Sequence, residues 1–266
     1  TFEVTSNGSR LGTEGTLALN QGTISVNAVP IAQDLTVTAA LKGEALTIDR
    51  ITGDVATGGV IGSFSGKGQA RLPELSLAAV EGALVLDSAR FTFSGIPVQQ
   101  QRPSRIELSN GRLAVADVAW LVAEHPIGIG GSIGLTERDR ALDLSLNGIV
   151  DMRVLSAFTS TVAFDGLANV DARVGGTVSR PSFDGRITLD DAEIGVSEPR
   201  LLMSQLHGAI ALRGQSAVFE GVRGLANGGS LILDGPVEFE NMTLAGGELN
   251  IQAQGGAMEI PRGLDR

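Results

Sequence analysis

The sequence predicts an all-β protein made of a long, curved and repetitive sheet with at most one or two short helices. Apolar and polar residues alternate along many short runs, turn-forming residues interrupt those runs, and 36 of the 266 residues are Gly. Successive side chains of a strand point to opposite faces, so alternation gives each strand one apolar and one polar face. Gly, Asn, Asp or Pro ends the runs about every 8 to 12 residues, which is typical of all-β folds.

The alternating runs also predict which side chains form the apolar face. Leu35 and Val37 lie on either side of Thr36, and the other runs repeat this spacing. A register error of one residue moves a side chain to the opposite face. The side chains predicted to line an apolar groove are Leu35, Val37, Leu84, Leu86, Phe91, Phe93, Leu142, Leu144, Ile187, Leu189, Leu231, Leu233, Leu249 and Ile251.

Two segments favour short helices. Asp117–Glu124 and Asp151–Thr159 each begin with an Asp suited to cap a helix, followed by apolar residues at helical spacing. Both segments are short, and further strand is the alternative interpretation of each. Trp120, the single Trp of the chain, lies in the first segment. It is interpreted as a packing residue, with a lid over an apolar groove as the sharper alternative.

Residues 41–66 and 212–235 contain an internal repeat. Each copy begins with Leu, a basic residue and Gly, as Leu41-Lys42-Gly43 and Leu212-Arg213-Gly214. The next Gly follows at the same spacing in both copies, and the two later spacings differ by one residue each. Residues 111–131 follow the pattern more loosely. Self-similarity with small length changes indicates stacked β units, each too small to bury its apolar face alone.

Composition narrows the class of protein. The formal net charge is −10, with no basic run, so no nucleic-acid partner is expected. The chain has no Cys, which excludes disulfides and thiolate chemistry. No run reaches the roughly 18 to 20 apolar residues of a membrane helix. Residues 1–266 are interpreted as one elongated segment of a larger protein, since the sequence starts with Thr; a soft division near 97–103 is the alternative.

No catalytic constellation is evident, so the chain is expected not to be an enzyme and to use no cofactor or metal. His125 and His207 each lie beside a turn-forming residue, without a second His or a Cys nearby. The Gly-rich run 128–134 has Ile at the third Gly position of a nucleotide-binding loop, and a tight turn is expected there instead. Asp190-Asp191 is interpreted as a solvated turn rather than a cation site.

Residues 166–235 show a recurring rhythm of strands and turns, and the tail 258–264 has the form of a further recurring segment. The features of the rhythm are Gly175-Gly176-Thr177-Val178 before Pro181, the strand Gly185–Leu189, Leu206-His207-Gly208, and Asn227-Gly228-Gly229 before Asp234-Gly235. With these features, the sequence from about Leu142 onward resembles the TamB family, within the AsmA-like group of bacterial envelope proteins. The resemblance is rhythmic rather than chemical, and it extends to the first half only through the repeat.

The resemblance implies a function and a location. Such proteins are anchored in the inner membrane, span the periplasm of Gram-negative cells and form a taco-like β-sheet with an aliphatic interior. They are implicated in phospholipid transport and outer-membrane protein assembly, and they partner with Omp85-type barrel proteins. The chain is therefore expected to be an internal periplasmic segment whose partners are phospholipid acyl chains and, through the full-length protein, an Omp85-type barrel.

Three alternatives remain open at this point. An apolar strand face also suits the closed core of a sandwich. A β-solenoid adhesin or autotransporter passenger has a similar fold class, although its repeat is usually tighter and richer in Asn, Thr and Ser. A scaffold that adds strands to client proteins through a sheet edge needs no lipid at all.

Overall fold

The structure is a computed structural model, and within its described residues the all-β prediction is confirmed. Eighteen strands and one short 3₁₀ helix occupy these residues, and the strands belong to a single antiparallel sheet. The described residues are 2–7, 10–26, 29–57, 59–73, 78–136, 140–158, 162–197, 200–240 and 243–255. Gly58 of the repeat and the tail 258–264 lie outside them.

The chain forms two compact units. Thr1–Glu124 and Gly128–Leu144 make the first unit, while His125–Ile127 and Ser145–Arg266 make the second. Residues 97–103 lie inside the first unit. Strands β10 (His125–Gly134) and β11 (Leu142–Asp151) each contribute residues to both units.

In the first unit each strand pairs antiparallel with the next, except that β7 and β8 lie in line, and both pair with β6 on one side and with β9 on the other. The strands are β1 (Phe2–Asn7), β2 (Arg10–Val26), β3 (Val29–Lys42), β4 (Ala45–Thr57), β5 (Val60–Arg71), β6 (Glu81–Phe93), β7 (Ile96–Gln100), β8 (Ser104–Ser109) and β9 (Arg112–Val122).

The second unit contains the 3₁₀ helix Met152–Phe158, followed by strands that again pair antiparallel in chain order, with β18 pairing to β16. These strands are β12 (Val162–Thr177), β13 (Arg180–Val196), β14 (Leu201–Gly214), β15 (Ser216–Ala226), β16 (Gly229–Glu240), β17 (Thr243–Gly247) and β18 (Asn250–Gln254).

Of the two predicted helices, the second forms as the 3₁₀ helix and the first is wrong. Residues 117–122 continue β9, where Trp120 pairs with Gln100 and Val122 with Val98. Val118, Leu121 and Val122 have helical spacing, but Val118, Trp120 and Val122 are spaced by two, as in a strand. Pairing with β7 favours the strand over the helix here, because tertiary contacts override weak local propensity.

A row of β-bulges crosses the strands of the second unit, and we call it the crease. A bulge adds one residue to a strand, bends it and increases its twist. Four adjacent strand pairs are irregular at neighbouring positions, so the bends fall in line across the sheet. The register shifts lie at Asp165/Leu167, Leu189/Ala192, Ser204/His207 and Phe219/Val222, and positive φ angles occur at Gly166 (94°), Asp191 (55°), Gln205 (52°) and Gly221 (62°).

The hydrophobic core of the second unit lies at the crease. Leu206 and Val222 are fully buried, which a flat sheet with one bare face does not achieve. Their cluster contains Ala168 from one side of the bulges and Ala226 from the other, together with Met152 of the 3₁₀ helix. Bending therefore brings two parts of one sheet face against each other.

The structure extends the internal repeat upstream of residues 41 and 212, to a bulge residue and a buried Leu in each copy. Leu35 precedes Leu41 by six residues and is 4% exposed; Leu206 precedes Leu212 by six and is 0% exposed. The residue before each buried Leu has a positive φ, 48° at Asp34 and 52° at Gln205. Both copies thus place a bulge residue and then a buried Leu at the same position.

Each buried Leu of the repeat also faces a Gly of the next strand. A Cβ atom added to Gly53 would lie 3.0 Å from Leu35 Cδ1, and one added to Gly224 would lie 2.8 Å from Leu206 Cδ2. The absent side chain leaves the space that the Leu fills. The first spacing shared by the two copies therefore has a packing reason.

In the first unit, β7 ends at Gln100 and β8 begins at Ser104, so the line of strand is interrupted between them. Gln100 Nε2 donates to Leu86 O at 2.9 Å and to Arg102 O at 2.6 Å. The side-chain amide thus bonds backbone carbonyls at the interruption between β7 and β8. The two carbonyls fix the amide orientation, because only an N–H group suits both. Gln100 Oε1 is then left buried without a hydrogen-bond partner.

Asp151 is the last residue of β11, directly before the 3₁₀ helix, and is 3% exposed. Its Oδ1 accepts from Arg153 N at 3.0 Å and from Arg153 Nε at 2.9 Å, and its Oδ2 accepts from Arg153 Nη2. The Arg153 side-chain hydrogen bonds hold the pKa of Asp151 below its ordinary value, against the opposing effect of burial. The carboxylate holds the first turn of the helix that contributes Met152 to the core.

Leu206→Ala is expected to lower the free energy of unfolding by about 2–5 kcal/mol, because it removes a fully buried side chain and leaves a cavity. Leu202→Ala on the same strand is the control, since Leu202 is 43% exposed; its effect should stay below about 0.5 kcal/mol. Guanidinium denaturation followed by circular dichroism measures both. Equal effects of the two variants would contradict the placement of the core.

Asp151→Asn is expected to lower stability by about 1 kcal/mol at pH 7, because the ionised carboxylate loses its charge-assisted bonds to Arg153. A lowered folded-state pKa stabilises the protein fully above the unfolded value near 3.9 and ceases to do so as pH falls through the folded value. The difference from the native protein should therefore be constant from pH 7 to 5 and shrink below pH 4. Exposed Asp184→Asn is the control, and denaturation midpoints across pH provide the measurement.

Candidate functional site

The candidate site is the apolar side of the sheet, which we call the inner face in each unit. In the second unit it carries the crease core. Ile187 pairs with Ile210 and Leu189 with Gly208, while Leu233 pairs with Ile251 across β16 and β18. The predicted residues Ile187, Leu189, Leu231, Leu233 and Ile251 therefore share this face, and Leu249 packs against its core.

Exposure varies strongly among these residues. Leu189, Leu231 and Leu233 are at most 4% exposed, so they belong to the packed core. Ile251 is 61% exposed. Residues near the crease thus hold the sheet together, and an open apolar surface has to be sought farther along the strands.

In the first unit the predicted residues again lie on one face. Val37 pairs with Ile51, Ile51 with Gly66 and Gly66 with Leu86, so a row of inner-face positions crosses four strands. Leu35 is buried and the other predicted residues of β3 and β6 are half-buried. These residues are Leu35, Val37, Leu84, Leu86, Phe91 and Phe93.

Aromatic and glycine contacts shape this face further. The rings of Phe91 and Trp120 stack with centroids 6.0 Å apart, so Trp120 of β9 packs against a predicted groove residue. Leu142 and Leu144 of β11 are half-buried. A Cβ atom on Gly131 would lie 2.8 Å from Leu144 Cα, so Gly131 permits the close approach of β10 and β11.

An apolar pocket of about 200 Å³ lies on the inner face of the second unit, at the hairpin ends of β12–β13 and β14–β15. Phe183 pairs with Gly214 and Leu212 with Ala217, so adjacent strands bring these side chains together. Typical small-molecule pockets measure roughly 300–1,000 Å³, which makes this one suited to a slender ligand. Its lining includes Pro181, Phe183, Leu212, Gln215, Ala217 and Phe239.

The sequence prediction did not include the pocket residues, although a signal was present. Phe183 continues the alternation of Ile187 and Leu189, and Leu212 lies two residues after Ile210. Phe239 lies at the far end of β16, beyond the strongest alternating run. Their meeting depends on strand register, which the sequence pattern alone does not give.

The outer face of the same strands is polar. Arg186 Nη2 lies 2.6 Å from Glu220 Oε2, and Arg213 Nη2 lies 3.6 Å from Glu220 Oε1. Ala211 lies between Arg186 and Val218 in the register and is 7% exposed, so charged side chains cover the small residues of this face. The sheet thus separates an apolar from a charged surface.

The reactive side chains of the described residues are dispersed. No group of three or more His, Asp or Glu side chains there is suited to hold a metal ion. Exposed His207 Nδ1 lies 3.3 Å from Asp190 Oδ1 and accepts from Asp191 N at 3.3 Å. The two predicted turns are wrong. Asp190 pairs with Leu167 and Asp191 is the extra residue of a bulge in β13, while the Gly-rich run 128–134 lies within strand β10.

Among the described residues, none of the helical segments has the length and apolar character needed to cross a membrane. Comparison of this chain with protein-family models, with curated proteins and with solved structures gives no match.

Proposed function

We propose that the inner face binds lipid acyl chains and that the chain is an internal segment of a TamB-like envelope protein. The apolar pocket at the hairpin ends of β12–β13 and β14–β15 carries this proposal. Its lining is mainly aliphatic and aromatic, with Gln215 and Ser216 as the polar side chains, and it continues the same face as the buried core. An acyl chain is slender and apolar, as such a surface requires.

The pattern of burial favours an open groove over a closed sandwich core. Inner-face side chains pass from fully buried at the crease, at Leu206 and Val222, to half-buried at Leu212 and 37% exposed at Phe239. The inner face of a closed core is covered along its whole length. Here the hairpin ends retain apolar surface that a ligand can cover.

The energetics of such a surface suit transport. Each methylene group removed from water contributes about 0.8 kcal/mol, so an acyl chain gains affinity along its whole length. Away from the packed crease, the inner face offers mainly Leu, Val, Ile and Ala, with Phe183 and Phe239 at the pocket. Neighbouring positions are alike, so a bound chain shifts along the face at small cost.

The cellular setting follows from the TamB resemblance. In that setting the segment lies in the periplasm, belongs to a protein anchored in the inner membrane, and serves phospholipid movement to the outer membrane together with outer-membrane protein assembly. An Omp85-type barrel is the partner of the full-length protein. These parts of the proposal depend on the resemblance, whereas acyl-chain binding depends on the pocket.

Leu212→Asp is expected to weaken binding of a fluorescent fatty acid by at least about tenfold, because a carboxylate in the apolar pocket must be desolvated when the ligand enters. Leu202→Asp is the matched control: it lies on the same strand, its side chain points to the outer face, and it should bind like the native chain. Fluorescence titration gives the affinities, and circular dichroism verifies folding.

Native mass spectrometry of the purified chain, with lipid extraction, provides the second readout. Phospholipid that accompanies the native and Leu202→Asp proteins but not Leu212→Asp supports the groove. A folded native chain that carries no lipid and takes up none when phospholipid is added contradicts it and favours a closed core or a strand-adding scaffold.

A further inference from the structure

A second pocket, of about 620 Å³, lies next to the apolar one. The two pockets share Gln215 in their linings. The apolar pocket contains Pro181 and Phe239, and the second contains the chain neighbours Arg180 and Glu240. The hairpin end of the second unit therefore has an apolar compartment and a charged compartment side by side.

We infer that this second pocket receives the head group of a phospholipid that carries both a phosphate and a primary amine. The inference rests on the proposed acyl-chain groove, whose ligand it specifies. Arg180 supplies a permanent positive charge for the phosphate, and Glu240 supplies a negative charge for the ammonium group. An acyl chain in the neighbouring apolar pocket would then position the head group between them.

The polar surroundings suit a phosphate. Thr177 and Ser179 contribute hydroxyl groups to the lining, and their oxygens lie 3.2 Å apart. Thr177 Oγ1 also accepts from Arg180 N at 3.2 Å, which fixes the turn that presents the guanidinium. Hydroxyls and a guanidinium are the donors that phosphate oxygens commonly use.

The two charged side chains are available for a ligand. Neither Arg180 nor Glu240 forms an ion pair with any residue that the structure describes, whereas Arg186 and Arg213 on the outer face both pair with Glu220. A purely anionic head group would meet Glu240 as a like charge. The opposite charges of one zwitterionic head group complement both side chains.

The test compares lipids with identical acyl chains. Dihexanoyl-phosphatidylethanolamine and dihexanoyl-phosphatidylglycerol are titrated into the full chain by calorimetry at low ionic strength, where exposed charges are least screened. We expect the ethanolamine lipid to bind about threefold to fivefold more tightly, the range of one exposed charge pair. Hexanoate and phosphoethanolamine, titrated separately, report the tail and the head group alone.

Two variants test which side chain binds the phosphate and which binds the ammonium group. Arg180→Gln should lower the affinity for both lipids by about threefold to fivefold, because both carry a phosphate. Glu240→Gln should remove the preference for the ethanolamine lipid without lowering the affinity for the glycerol lipid. Arg173→Gln and Glu238→Gln are the matched controls, since Arg173 is exposed on the neighbouring strand β12, Glu238 is exposed on the same strand as Glu240, and both lie outside the pocket. These controls should leave both affinities unchanged.

The outcomes separate the head-group site from the groove. Equal affinity for the two lipids, unaltered by either variant but lost in Leu212→Asp, overturns the head-group inference and leaves the groove intact. Failure of every acyl-chain ligand to bind overturns both. Phosphoethanolamine binding as tightly as the whole lipid also overturns the inference, because it would show a site for a free zwitterion rather than for a phospholipid.

Discussion

The structure depends on one constraint, which is that a sheet with an apolar face must cover that face. In the second unit a row of β-bulges meets this requirement by bending successive strands at neighbouring positions. Ala168 and Ala226 from opposite sides of the bend then join one cluster around Leu206 and Val222. Hydrophobic burial thus comes from folding one sheet over itself, with the 3₁₀ helix adding Met152.

The same bend produces the candidate site. Burial is complete at the crease and decreases toward the hairpin ends, where Leu212 and Phe239 remain partly accessible. The core and the pocket are therefore two parts of a single surface, one used for stability and the other available to a ligand. Ion pairs such as Arg186–Glu220 keep the opposite face polar. The sheet therefore presents an apolar surface on one side and a charged surface on the other.

Sequence alternation was sufficient to predict the fold class and to group residues such as Val37, Leu86 and Leu189 on an apolar face. Alternation did not predict the bulges, because no particular residue type marks the position at which a strand gains an extra residue. Asp191 and Gln205 adopt positive φ without being Gly, so they leave no distinctive mark in the sequence. The pocket was missed for a related reason: Phe183, Leu212 and Phe239 come from different hairpins and meet only through register.

The pairing of a buried Leu with a Gly on the following strand, at Leu35 with Gly53 and at Leu206 with Gly224, has a consequence for how such a chain can change. Each copy brings its own bulge, its own buried side chain and the space to hold it. Duplication of one copy therefore inserts both partners of this Leu–Gly contact together, and deletion of one copy removes both together. The number of strands can change in this way without leaving a buried Leu that lacks its matching Gly.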